Sequence, residues 1–135
     1  YELGRGVPEN LKTAVMWYTK ATEKRYARAQ EKLGIMYDKG KGVPENDKTA
    51  VMWYTKAAER GNPNGQYNLG VMYEFGMGTL TDTKRAYMWY NIAAYNGGDV
   101  SADNKSKVAK NMTPTQIDTA QEMSSRCLES NYTDC

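Results

Sequence analysis

Apolar side chains along this chain keep two rhythms at once, a short one of three and four residues and a long one of 36. Leu33, Met36 and Tyr37 make an i, i+3, i+4 stripe that Leu69, Met72 and Tyr73 repeat, the spacing that lines one face of an α-helix. This predicts first helices over residues 27–38 and 64–75. A second helix follows each, with Ala50, Trp53, Tyr54 and Ala57 as its buried face. Punctuation agrees with these bounds. Asn62-Pro63 supplies a capping oxygen and then a proline at the first helical position. The second helices are predicted to begin after Pro8-Glu9-Asn10, Pro44-Glu45-Asn46 and Thr81-Asp82, where Asn or Asp can accept a backbone N–H. Gly40 and Gly76 interrupt the far ends of first helices, and Gly61 and Gly97 close second ones.

The long rhythm is a repeat. Trp17, Trp53 and Trp89 lie 36 apart, as do Met16, Met52 and Met88, then Tyr18, Tyr54 and Tyr90, then Tyr1, Tyr37 and Tyr73. Glycines obey the same step at Gly4, Gly40 and Gly76, and at Gly6, Gly42 and Gly78. "GVPENLKTAVMWYTKA" from Gly6 and "GVPENDKTAVMWYTKA" from Gly42 differ at a single position, Leu11 against Asp47. A period of this length marks stacked supersecondary units. Units that stack must present matching faces. Trp53 is therefore expected in an inter-helix core, not as a platform for a sugar or base, and its truncation to Ala should cost about 3–5 kcal/mol. Gly34 and Gly70 are expected to let helices approach closely. Tyr1 falls inside the register, so the chain is expected to be a fragment of a longer protein, and its lack of a leader says nothing about location.

After Gly97 the pattern decays. Lys105 and Ser106 stand where the register asks for the counterparts of Leu69 and Gly70, and Val108, Ala109 and Met112 keep a weak apolar face. "MTPTQIDTAQEMSSRC" then opens a clean helix, with Thr113 as N-cap, Pro114 at the first position and Gln116 completing a capping box. Ile117, Ala120, Cys127 and Leu128 share one face of it. This reads as the terminal cap that shields the last face of a stack from water.

Composition narrows the chemistry. Histidine is absent, which removes the commonest general base, the commonest zinc ligand and every Ser-His or Cys-His nucleophile. No catalytic residue, metal or cofactor is expected. A net charge of +2 gives no strong field for nucleic acid, and no apolar run approaches the roughly 18 residues that span a membrane. Gly40-Lys41-Gly42 and Gly76-Met77-Gly78 contain G-x-G but follow helices, so they read as chain breakers rather than phosphate loops. Lys56, Glu59, Arg60 and Glu23 read as solvated outer faces. Asn104, Asn111 and Asn131 each open a sequon in form, a short pattern that arises often.

The stretches "AQEKLGIMYDKGKGVPENDKTAVMWYTKAAERG" (29–61) and "GQYNLGVMYEFGMGTLTDTKRAYMWYNIAAYNG" (65–97) resemble Sel1-like repeats, the 36-residue relatives of the tetratricopeptide family. The likeness covers about residues 1–97, with Asn10 and Asn46 in place of the usual Asp and Gly65 in place of an Ala. It implies an all-α fold: a right-handed α/α superhelix, or solenoid, of antiparallel helix pairs with a C-terminal capping helix. The chain would be one such domain over 1–135, with a partial repeat at 1–25, full repeats at 26–61 and 62–97, and a degenerate helix plus cap at 98–135. The resemblance also implies a non-enzymatic scaffold that binds a protein or peptide. The "MTP-x-Q-I" tail is similar to those of bacterial proteins with these repeats. Cysteine-rich relatives point to an alternative, peptidoglycan or β-lactam binding or hydrolysis, although no S-x-x-K sequence occurs here. A further alternative is a regulatory segment of a larger envelope protein.

Recognition should reside where the copies disagree. The side of the first helix opposite the Leu33 stripe carries Arg28, Glu31, Ile35, Asp38 and Lys39 in one unit and Asn64, Tyr67, Val71, Glu74 and Phe75 in the next. By similarity to tetratricopeptide superhelices, first helices line a concave groove, and these ten residues are the candidate partner-binding face. Packing of Val71 and Phe75 against the next repeat is the competing expectation. Cys127 and Cys135 match neither C-x-x-C nor zinc-knuckle spacing. One disulfide folding the tail onto the cap helix, or two free thiols in a cytosolic protein, are the open readings. The resemblance to periplasmic or secreted repeat proteins with a C-terminal cysteine pair implies the first.

Overall fold

The computed structural model describes residues 7–22 and 26–135, and the side chains of all of these but 7–10, 21, 22 and 99. Tyr1, Gly4, Gly6 and Glu23, used in the register and surface readings, lie outside the described residues. The described residues form α1 (Val7–Thr22), α2 (Ala27–Lys39), α3 (Asp47–Ala58), α4 (Pro63–Phe75), α5 (Thr83–Tyr95), α6 (Asp99–Ala109) and α7 (Pro114–Glu129), with no strand among them.

Side-chain oxygens decide where most of these helices begin. Asn46 accepts from the Thr49 N–H at 3.0 Å, Asn62 from Gly65 at 2.9 Å and Asp82 from Arg85 at 3.0 Å, each satisfying a donor that the first turn leaves without a helical partner. Thr113 and Gln116 form the expected capping box at the start of α7. One start differs from expectation. α1 begins at Val7, not after Asn10, and takes Pro8 into its first turn, where a proline's missing N–H costs nothing. In the other two units the N-cap is also held by the preceding first helix, because the Asn46 N–H donates to the Tyr37 carbonyl and the Asp82 N–H to that of Tyr73.

Each first helix stops on a left-handed glycine, Gly40 (φ 69°) or Gly76 (φ 67°), whose N–H returns to the Met36 or Met72 carbonyl in the manner of a C-terminal cap. The second glycine of each pair serves the stacking. A Cβ on Gly42 would lie 2.7 Å from the Leu11 carbonyl, and one on Gly78 would collide with that of Asp47. The turn of one unit thus rests on the second-helix start of the unit before, at the position where the duplicated stretches differ.

The helices form a solenoid of antiparallel pairs. α2 packs on α3 and α4 on α5 within units, while α1–α2, α3–α4 and α5–α6 contacts join successive ones. α7 lies along α5 in the same direction: Gln121 donates to the Tyr87 hydroxyl near the start of α5, and Asn96, at its end, donates to Tyr132 just beyond α7. The main core joins Ala50, Tyr54, Leu69, Met72, Met88, Trp89, Ile92 and Cys127, and a second joins Ala86, Tyr87, Tyr90, Val108, Met112 and Ala120. None of the described helices is long and apolar enough to cross a membrane.

Tryptophan burial departs from the equal roles that the repeat implied. Trp89 is 3% exposed and Trp17 63%, with Trp53 half-buried between them. Trp53 is therefore not the full core residue that was expected. α7 supplies the difference, since Met123, Cys127 and Leu128 pack around Trp89 and Ile92, whereas α3 has no helix laid along it in that way.

Candidate partner-binding face

The ten candidate residues divide into a buried or engaged set and an accessible one. Gly34 and Gly70 explain part of the division. A Cβ on Gly70 would lie 2.8 Å from the Tyr90 ring and one on Gly34 2.5 Å from that of Tyr54, so each ring lies flat across a first helix and reaches its far side. There the Tyr54 hydroxyl donates to Asp38 Oδ2 at 3.0 Å and the Tyr90 hydroxyl to Glu74 Oε1 at 2.7 Å. Burial, reinforced by the Asp38 carboxylate, pushes the Tyr54 hydroxyl far above the usual phenol range; burial and the Glu74 hydrogen bond do the same for Tyr90. Both phenols stay protonated donors at any physiological pH. Asp38 and Glu74 are thus each already joined to a tyrosine of their own unit.

The rest sort by depth. Glu31, read as part of a charged surface patch, is buried, and Ile35 packs against the main core. Both sit where α2 meets its neighbours. Tyr67 and Val71 are half-buried against the second core, with the Tyr67 ring tilted 44° to that of Tyr90 at 5.8 Å between centroids. Val71 packs against a cluster that joins α5 of its own unit to α6 and α7, while Phe75, paired with it in that expectation, is 64% exposed. Arg28, Lys39 and Asn64 are exposed as well. The accessible remainder of the face is Arg28, Lys39, Asn64 and Phe75, with one edge of Tyr67.

α6 adds residues that sequence reasoning missed. Asn104 donates to the Tyr67 hydroxyl at 3.4 Å, and Lys105 reaches Asn91 Oδ1 at 3.2 Å and lies 5.9 Å from the Tyr87 ring. Neither position carries a repeat signal, because α6 lies where the register has decayed. Asn104, the first residue of a sequon in form, is half-buried and engaged.

A second unforeseen constellation is legible in hindsight from Gln30 and Gln66, 36 apart. Gln66 is fully buried; its Nε2 donates to the Ala58 carbonyl at 3.0 Å and its Oε1 accepts from Asn96 at 2.9 Å. Asn96 also donates to the Tyr132 hydroxyl at 3.0 Å. Gln30 occupies the same place one unit earlier, but the register sets Arg60 where Asn96 stands, and the Gln30 Oε1 is buried without a partner. Cys127 and Cys135 are disulfide-bonded, with 4.5 Å between their Cα atoms. No cluster of three or more potential metal-binding Cys, Asp or Glu side chains occurs among the described residues.

The sequence profile of the Sel1 repeat matches the chain three times, over residues 1–26, 27–62 and 63–98. No curated protein matches the chain significantly in sequence. Solved structures do. A protective antigen of uropathogenic Escherichia coli strains that displays an SLR fold is 32% identical with a TM-score of 0.85, over 90% of this chain and 27% of that one. A Sel1 repeat protein of Oxalobacter formigenes is 37% identical with a TM-score of 0.68, over 70% of this chain and 39% of that one. Cysteine-rich protein B of Helicobacter pylori is 25% identical with a TM-score of 0.64, over 66% of this chain and 67% of that one. The chain thus spans less than half the length of the first two. Three matched repeats, a solenoid of antiparallel helix pairs and these neighbours together make the chain a member of the Sel1 repeat family.

Proposed function

We propose that this chain is a non-enzymatic scaffold that receives a protein or peptide segment along the face presented by α2 and α4, in the bacterial cell envelope. Sel1 repeats are in general protein–protein interaction modules, and the reading rests on that family role. The observation that carries the location is the contrast between units. Core positions are repeated almost unchanged, while the accessible side of the first helices changes from Arg28 and Lys39 to Asn64 and Phe75. An exposed aromatic at one end of the face, with charged and amide groups along it, suits contact with a protein partner. The Cys127–Cys135 disulfide supports an oxidising compartment, and the neighbours come from bacteria.

The test is retention of a partner from an envelope extract of the native organism. Replacing Arg28→Glu together with Phe75→Ala should abolish retention of any partner held on this face while the melting temperature stays within a few degrees, since both side chains are exposed. Undiminished retention by that variant would reject the face. The absence of turnover against peptidoglycan and β-lactams is the companion expectation, and sustained, protein-dependent hydrolysis would reject the non-enzymatic part.

A further inference from the structure

Two Asn–Gly pairs occur in the chain, Asn64–Gly65 and Asn96–Gly97. The dipeptide is open to a spontaneous change, because a glycine without Cβ leaves its nitrogen free to close on the preceding side chain. At the second pair the Gly97 nitrogen would attack the Asn96 amide carbon, giving up its proton to hydroxide as the new C–N bond forms. The bond from that carbon to Nδ2 breaks, ammonia leaves and a cyclic succinimide remains. Water then opens the ring at either carbonyl. The product is aspartate or, with the backbone rerouted through the side chain, isoaspartate.

The fold treats the two pairs differently. Gly65 is buried in the first turn of α4, its N–H donates to Asn62 Oδ1 at 2.9 Å, and a Cβ there would lie 2.7 Å from that of Ala57. That pair is locked into the stack. Gly97 is exposed beyond the end of α5, at φ 104°, with nothing within 4 Å of where a Cβ would stand. A ψ of 11° at Asn96 turns the Gly97 nitrogen away from the side-chain carbon, so the ring closes only after the backbone rotates. The Gly97 N–H bond to the Ala94 carbonyl at 3.1 Å and that of Gly98 to Ala93 at 2.9 Å resist the rotation, but bonds at a helix end open readily. The side chain adds two further tethers, from Asn96 Nδ2 to Gln66 Oε1 at 2.9 Å and to the Tyr132 hydroxyl at 3.0 Å. Tyr132 belongs to the tail that the Cys127–Cys135 disulfide folds back. One unit earlier the register sets Arg60 before Gly61, so the susceptible pair stands in the unit beneath the tail.

We propose that Asn96–Gly97 is a site of spontaneous deamidation that the C-terminal tail holds latent. While Gln66 and Tyr132 hold the amide, the end of α5 keeps its geometry and reacts slowly. When the tail lifts, the amide loses a tether, ψ is released and the ring closes. The product then hinders the tail's return. Aspartate has no N–H for Gln66 Oε1, which is left buried beside a carboxylate, and isoaspartate lengthens the backbone where α5 ends. A transient opening thus becomes a lasting mark at the seam between tail and stack. The site lies apart from the first-helix face, so the two readings stand or fall separately.

The test is the rate of conversion at each asparagine in the intact, disulfide-bonded chain at neutral pH. Peptide mapping follows it, with isoaspartyl methyltransferase labelling to count the isoaspartate. Asn96 should convert at least about tenfold more slowly than in a free peptide of residues 92–100. Tyr132→Phe, which keeps the ring and removes the acceptor, should speed conversion of Asn96 by at least about threefold, and Cys127→Ala with Cys135→Ala by more. Asn64 should respond to neither. Asn96→Asp, which installs one product directly, should speed amide exchange over residues 130–135 with the disulfide intact. Four outcomes overturn the proposal: conversion as fast in the intact chain as in the peptide; a rate at Asn96 that neither set of substitutions changes; Asn64 rising in step with Asn96 in the Tyr132→Phe chain, the mark of general unfolding; or unaltered tail exchange in the Asn96→Asp chain.

Discussion

Glycine and tyrosine set the geometry of each unit. Gly70 lies mid-helix, where alanine would ordinarily stabilise by up to about 1 kcal/mol. Here a Cβ would sit 2.8 Å from the ring of Tyr90, which is fully buried and tied to Glu74. The ring has nowhere to go, and overpacking of this kind costs about 1–3 kcal/mol. Gly70→Ala is therefore expected to destabilise by about 1–2 kcal/mol in urea unfolding; a gain would mean that the ring yields. The close approach of the paired helices was legible in the sequence from Gly34 and Gly70. That the approaching group is a tyrosine hydroxyl bound for Asp38 or Glu74 was not, because those partners are 16 residues apart in sequence and meet across the helix pair.

At the scale of elements, α7 and the tail form a fastener. The helix was readable residue by residue, from Thr113, Pro114 and Gln116 to the Ile117–Leu128 face. The return of the tail through Cys127 and Cys135 was expected as well, but the backbone turn that achieves it was not legible. Asn131 and Tyr132 adopt positive φ values of 55° and 67°, which turn the chain back so that Tyr132 meets Asn96 and lies 3.7 Å from where a side chain on Gly61 would begin. The disulfide holds this turn closed. In the chain-entropy account a short loop of this kind contributes about 2–3 kcal/mol. Replacing both cysteines, Cys127→Ala with Cys135→Ala, is expected to remove about that much and to speed amide exchange over residues 130–135. Amides of α2 and α4 should keep their order of protection. A uniform loss along the chain would instead make the tail integral to the whole stack.

For the whole molecule, three tryptophans at one register position experience three environments. Trp89→Ala should lower stability by about 3–5 kcal/mol, as a buried aromatic does. Trp17→Ala should change it by less than about 0.5 kcal/mol, and Trp53→Ala should fall between. Urea unfolding of the three variants checks the order, and equal costs would show that the units are sealed alike. A solenoid is close to a one-dimensional array in which each unit feels its neighbours, so a residue's burial depends on what stacks beside it as much as on its own position. The same logic divides the candidate face: Val71 is half-buried against the core shared by α5, α6 and α7, and Phe75, four residues on at the helix end, is exposed.

By itself the sequence determined the period, the helix bounds to within a few residues, the glycine stops, the caps and the terminal helix. All of these follow from local spacing and local backbone chemistry, although the duplicated GVPEN stretches open their helices at different points, Val7 and Asp47. Only the tertiary structure decided how deep each repeated residue lies. It sank Glu31, occupied Asp38 and Glu74 with tyrosine hydroxyls, and sealed Trp89 while leaving Trp17 in water. Burial and side-chain pairing depend on neighbours distant in sequence, and a repeat does not record what packs beside each of its copies.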